Sequence, residues 1–172
     1  MATIDYSDGK MPSVLVDVTR DSIFSIFNTI FGAEPKLESD VDGKNLGDGV
    51  VEIISFMGDA NYIIMLALPK NSAIAMASKF CGFDIDYDSP DMGDVVGELA
   101  NVLAGDIIAR MNKEGLKITM SLPTIMRGHD VEPLLPRGLP LEKLGFSMEE
   151  GAFMLKIAGA KSGDLVGRKP GT

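Results

Sequence analysis

A two-layer α+β domain, in which an antiparallel-rich sheet is packed against long helices, is the fold this sequence predicts. Three observations carry the prediction. Apolar residues recur at helical period over 14–31 and again over 90–114. Between and after these stretches lie short β-like runs that come in pairs, joined by turn residues, as hairpins do. With 45% hydrophobic residues in 172, the chain is also long enough to bury one core without disulfide or metal staples. The organisation expected is a flexible N-terminus over 1–12, a single domain over 13–159 and a flexible tail, rich in Gly, Lys and Arg, over 160–172. No internal repeat is evident.

Each element has its own signal. Leu15, Val18, Phe24, Phe27, Ile30 and Phe31 form the stripe of the first helix, and Gly32 is its stop. Residues 33–48 read as loop. Strands are expected over 49–57 and 61–68 around the turn Gly58-Asp59-Ala60, the second so apolar that both of its faces should be covered. Pro69 ends that strand, and Asn71 or Ser72 is placed to cap a short helix running to Phe80. After an acidic connection, Ser89-Pro90-Asp91 opens the longest helix with Ser as N-cap, Pro in the first position and carboxylates in the first turn; Gly115 terminates it. Strands follow over 116–121 and 124–127, then a loop with Pro133, Pro136 and Pro140, then a hairpin pair over 144–148 and 152–158.

Composition excludes several kinds of chemistry. A net charge of -9 suits a protein that does not bind nucleic acid, whose affinity comes from neutralised phosphates. No run approaches the ~20 apolar residues of a bilayer span, and residues 1–13 do not form a signal peptide. One cysteine closes no internal disulfide, which fits a cytoplasmic protein. The single His, His129, sits in a turn-like polar stretch and reads as a solvated loop residue; Cys81 reads as an inert buried thiol at a helix end. Neither belongs to a zinc-like spacing, so no metal site is expected, and no phosphate-binding glycine loop is present.

The longest helix carries what chemistry remains. On a helical wheel Val95, Val96, Leu99, Val102 and Leu103 share a core-facing arc, while Asp94, Glu98, Asn101 and Gly105 share another. Glu98 and Asn101, three residues apart, are neighbours. Gly97 and Gly105 flank them, each at a cost of about 1 kcal/mol relative to Ala, which points to a close approach here by a helix of the same protein or by a partner. From these residues alone the first reading is a solvated helix face, and the second a docking face on which a carboxylate supplies charge and an amide orients a water.

The stretch Asp94-Val95-Val96-Gly97-Glu98-Leu99-Ala100-Asn101-Val102-Leu103-Ala104-Gly105, followed by Pro123-Thr124 in Ser121-Leu122-Pro123-Thr124, resembles the signature of the CheC/CheX/FliY phosphatases of bacterial chemotaxis. One such segment is present, as in the CheX type. The resemblance is sharp over 91–130, looser over 14–82 and weak beyond Val131. It implies a CheC-like fold and a phosphatase acting on the aspartyl-phosphate of a CheY-like response-regulator receiver. It implies that Asn101 orients the attacking water, that Glu98 pairs with a receiver lysine, and that Asp94, Gly97 and Gly105 belong to the docking face. It implies no cofactor of the chain's own, Mg2+ on the receiver, and a homodimer. The alternative it leaves is a non-catalytic receiver- or motor-binding module of the same fold.

Overall fold

The apolar runs at 48–58 and 62–69 find each other through a tight turn and become the middle of a seven-stranded sheet. The computed structural model describes residues 4, 6–39, 46–135 and 137–160. In chain order the elements are α1 (Ser13–Phe31), β1 (Lys36–Glu38), β2 (Asp48–Gly58), β3 (Tyr62–Pro69), α2 (Lys70–Cys81), α3 (Asp91–Lys113), β4 (Ile118–Met120), β5 (Thr124–His129), β6 (Leu141–Met148) and β7 (Gly151–Gly159). Every strand pairing is antiparallel, in the order β1-β6-β7-β3-β2, with β4 and β5 lying one after the other along the outer side of β2. The expected two-layer α+β fold is the one observed.

The sheet has two unlike faces. Val50, Ile54 and Phe56 of β2, Tyr62, Ile64, Leu66 and Leu68 of β3, and Phe153, Leu155 and Ile157 of β7 point to the helices and are buried with Leu15, Phe27, Met76, Leu99, Leu103 and Ile107. Alternate residues point the other way, yet Val51, Met65 and Ala158 are buried there too, outside that cluster. The connection from β5 to β6 spans the sheet from corner to corner. It leaves His129 at one end of the sheet and enters Leu141 at the other, four strands away. A helix of twelve residues would span only ~18 Å, short of the roughly 30 Å diagonal set by strand spacing and rise; the segment has no regular structure over 131–135 and turns at Arg137-Gly138, where Gly138 takes φ +84°. Val131, Pro133 and Leu135 are half-buried and alternate with the exposed Glu132 and Leu134, as an extended strap laid on a surface requires. A Cβ on Gly128 would stand 2.8 Å from Val131 Cγ2, where the strap begins.

Contrary to the sequence reading, the chain is built as a repeat. Helix, short edge strand and hairpin occur twice, as α1-β1-β2-β3 and α3-β4/β5-β6-β7, with β3 and β7 side by side at the centre. Each hairpin carries an in-register, stacked aromatic pair: Phe56 and Tyr62 with centroids 4.7 Å apart, Phe146 and Phe153 at 5.0 Å. The halves interlock, because β1 pairs with β6 and β4/β5 with β2.

Several boundaries differ from expectation. Lys36–Glu38, read as loop, is a strand; all three side chains are exposed, so no alternation marks it, and pairing to β6 alone defines it. β6 starts at Leu141 rather than 144, opposite Ala158. Neither Asn71 nor Ser72 caps α2; Ser72 donates instead to the Ala152 carbonyl at 2.7 Å. Ser89 does not cap α3 either, its hydroxyl donating to the Asp86 carbonyl at 2.9 Å, and the helix begins at Asp91 after Pro90. His129 ends a strand rather than lying in a loop, exposed and held by Asp48 at 2.8 Å and Asp130 at 3.3 Å. In the N-terminal stretch Ile4 N–H donates to the Asp59 carbonyl and Tyr6 OH to that of Asn61, both at 2.7 Å. The tail expected over 160–172 lies, beyond Ala160, outside the described residues.

Several buried polar atoms have no hydrogen-bond partner among the described residues, Ser22 Oγ and Tyr62 OH included, and the carboxyl of Glu52 is the one that ionises most readily. Glu52, midway along β2, shares the helix-facing side with Val50 and Ile54, is buried, and neither carboxylate oxygen has a hydrogen-bond partner. Burial pushes its pKa up to about 9, so the folded chain holds it as a neutral acid. The unfolded chain releases that proton near the ordinary carboxylate pKa. Between these two values the native state binds more protons, and stability falls as pH rises. Glu52→Gln, which keeps the shape and cannot ionise, is expected to raise the melting temperature at pH 8 over wild type, with the gap closing towards pH 5. Parallel melting curves for the two proteins at pH 8 and pH 5 with an unchanged gap would contradict this.

Candidate functional site on the open face of α3

α3 is seated by three contacts from the strands beneath it. Arg127 of β5 donates through Nη1 to the carbonyls of Tyr87 and Ser89, at 2.8 and 3.0 Å, and so fixes the approach to the helix. Tyr87 OH donates to the Gly49 carbonyl of β2 at 2.9 Å. In the second turn of the helix, Gly97 is buried against Ile125 of β5; a Cβ there would stand 2.9 Å from Ile125 Cδ1. At the far end, Leu116 N–H returns to the Met111 carbonyl and Gly115 takes φ +79°, closing the helix in the left-handed turn that glycine accommodates. Because the N-terminal turn lies over Arg127 and the C-terminal turn leads into β4, α3 runs antiparallel to the β4–β5 edge.

This seating leaves the expected face open. Asp94, Glu98 and Gly105 are exposed, and Asn101 is half-buried on the same side. Neither Glu98 nor Asp94 makes an ion pair with another described residue. Asn101 is divided: its Oδ1 is sealed from solvent and has no hydrogen-bond partner. An orphaned amide oxygen costs about 1–3 kcal/mol, which a donor brought by another molecule would recover. Gly105 meets nothing within 4 Å, so no contact inside the chain requires a glycine there.

Two of the sequence expectations change. Gly97 is not on the open face; the close approach it permits is to Ile125 within the same chain. Val102, expected in the core stripe, is 36% exposed beside Asn101, while Met92, Ala100, Ala104, Ile107 and Met111 complete the buried side with Val96, Leu99 and Leu103.

The edge alongside the helix holds a feature the sequence reading passed over. Met120 opposes Phe56 in β4 and Thr124 opposes Ile53 in β5, so three residues, Ser121 to Pro123, face the two between, Ile54 and Ser55. Ser121 N–H donates to the Ser55 carbonyl at 2.9 Å, which leaves Leu122 and Pro123 as a β-bulge opposite Ile54. Pro123, lacking an N–H, is suited to the unpaired position. A single extra residue of register leaves no trace in composition or periodicity.

The sequence and the fold were both compared with known proteins. Residues 50–140, just over half of the chain and including all of α3, match the family described as chemotaxis phosphatase CheX. A curated relative, the CheY-P phosphatase CheX of Thermotoga maritima, is 22% identical over 126 residues, covering 71% of this chain and 81% of its own. Among solved structures, a CheC-like superfamily protein from Shewanella sp. PV-4 superposes with a TM-score of 0.77 at 19% identity, over 88% of this chain and 100% of that one. The CheX in a CheX–CheY–BeF3–Mg2+ complex from Borrelia burgdorferi superposes at 0.67 and 18% identity, over 86% and 98%. Among the described residues, no helix is long and apolar enough to cross a membrane.

The open surroundings of Gly105 make a direct test of why a glycine stands there. Gly105→Ala is expected to raise the unfolding free energy, by up to about 1 kcal/mol from helix propensity, in urea denaturation. A loss of stability would mean that the chain itself needs the glycine.

Proposed function

We propose, because this chain belongs to the CheX family of chemotaxis phosphatases, that it hydrolyses the aspartyl-phosphate of a CheY-like receiver domain. The observation that carries the reading is the pairing of an unpartnered carboxylate, Glu98, with an amide whose buried Oδ1 lacks a donor, Asn101, on the uncovered face of α3. In the B. burgdorferi complex CheX is found with CheY, BeF3 and Mg2+; by the same chemistry the acyl phosphate and its metal arrive here with the receiver. The metal, when bound there, draws charge from the phosphoryl oxygens.

This chain then has a limited task. The Asn101 side chain turns outward into the receiver's site, so that its Oδ1, sealed in the free chain, accepts a hydrogen bond from a water and holds that oxygen in line with the bond to be broken. The water oxygen bonds to phosphorus, the bond from phosphorus to the aspartyl oxygen breaks with its electron pair leaving on the carboxylate, and the water's proton passes to the phosphate or to solvent. Inorganic phosphate and the unmodified receiver result. An amide has no pKa to match to the medium, so it positions without acting as a base. Glu98 offers its charge to a receiver lysine. Gly105 leaves the helix backbone open to the partner, and Asp94 lies at the rim. A cytoplasmic location, where receivers are found, belongs to the same reading.

Decay of a phosphorylated CheY-type receiver, with Mg2+ present, tests it. Wild type is expected to accelerate the decay, Asn101→Ala to lose on the order of 100-fold in rate, the scale for one positioned polar group, and Glu98→Ala to weaken binding as well. Near wild-type hydrolysis by Asn101→Ala would overturn the role of the amide; binding without hydrolysis by the wild type would leave a docking module. The reading also includes a homodimer, and light scattering at micromolar concentration is expected to give twice the chain mass, a monomer being the contrary result.

A further inference from the structure

We infer that Leu122 is a docking side chain for the receiver, buried against the receiver's surface near its phosphorylated aspartate. This rests on the reading of α3 just given. Leu122 is 87% exposed, at the bulge between β4 and β5. It is held there rather than dangling. Ser121 Oγ accepts from the Ser55 N–H at 3.1 Å and donates to the carbonyl of Leu122 itself at 3.0 Å, and Pro123 fixes the backbone on the other side. An apolar side chain presented from a fixed backbone loses little freedom on binding, which is what separates an anchor from an incidental exposed leucine.

Its position follows from the seating of the helix. Gly97 lies over Ile125, and α3 and the strand edge run antiparallel. One helical turn onward, about 5.4 Å, reaches Asn101; two strand residues back, about 6.6 Å, reach the bulge. Leu122 is therefore abreast of Asn101, with the exposed Val102 next to it. A partner that presents a phosphoryl group to Asn101 buries on the order of 800 Å² of each surface, a footprint extending roughly 15 Å from its centre. Leu122 falls beneath it. Burying a leucine there adds apolar affinity to the smaller contribution of the Glu98 ion pair, since exposed pairs contribute little. The division of labour is apolar anchoring by Leu122, charge by Glu98 and positioning by Asn101.

The test measures binding and turnover separately. Binding is titrated with a beryllofluoride-activated CheY-type receiver and Mg2+, and turnover is followed at saturating phosphorylated receiver. Leu122→Ser is expected to raise Kd about tenfold or more while kcat stays within about twofold of wild type. Leu134→Ser, at a second exposed leucine on the strap across the opposite face, serves as control and is expected to change neither. Melting curves check that both variants fold. Unchanged Kd for Leu122→Ser overturns the docking role and leaves the phosphatase reading standing, as does a fall in kcat with Kd unaltered. Equal weakening by Leu134→Ser would show a general loss of apolar surface and also overturns it. Failure of the wild type to bind any receiver of a panel overturns both.

Discussion

What this molecule presents to a partner depends on how α3 rests on β5. The contact is small: a glycine, Gly97, lets the helix come down on the end of Ile125, and Arg127, two residues along the same strand, ties the chain just before the helix by two carbonyls. Together they fix the height of the helix and its rotation. Asn101 is half-buried as a whole, with its Oδ1 sealed off. The rotation turns Asp94, Glu98 and Gly105 outward. Neither Gly97 nor Arg127 belongs to the chemistry, yet both decide where it is done.

The site is therefore a composite of helix and strand edge, and that explains its economy. On the proposed reading, a water-positioning amide needs a rigid mount, which is most simply had on a long helix whose other side is core. Leu99, Leu103 and Ile107, all buried, make that side. With Leu122 in the proposed docking role, the sheet would supply a second wall through a one-residue irregularity rather than through a loop, both walls belonging to the same packed body. Glu52 lies on that sheet too, a neutral acid within the core, and its cost is carried by the apolar surroundings that the site also relies on.

How much of this was legible in the sequence depends on whether the signal was local. The wheel over 94–105 placed Glu98, Asn101 and Gly105 on the open side because helical period is a property of consecutive residues. It misplaced Val102, since whether a residue at the border of the stripe is covered depends on how far the strand edge extends, which no period encodes. Gly97 was singled out, but its neighbour Ile125 is 28 positions away and could not be named. β1 was missed altogether, three exposed residues being a strand only by virtue of β6. The repeat was hidden for a related reason. Its two halves share an arrangement, and the stacked pairs Phe56–Tyr62 and Phe146–Phe153 mark it, yet two aromatic pairs among unlike neighbours are recognised only once their register is known.

The interlocking of the halves has a consequence for how the protein is made. Each hairpin's outer neighbour is contributed by the other half, and the contact between β1 and β6 joins Glu38 to Ser147, 109 residues further on. Synthesis at about 5–20 residues per second puts roughly 5–20 s between the emergence of these two strands. During that interval the edge of β3 has no sheet neighbour, and until β4 and β5 emerge the edge of β2 is bare as well, so both are available to any other unfinished chain. That β1 is three residues long and presents Lys36 and Glu38 makes it a poor template for such pairing. The burden falls on the apolar β3, whose proper neighbour, β7, is among the last strands to be made.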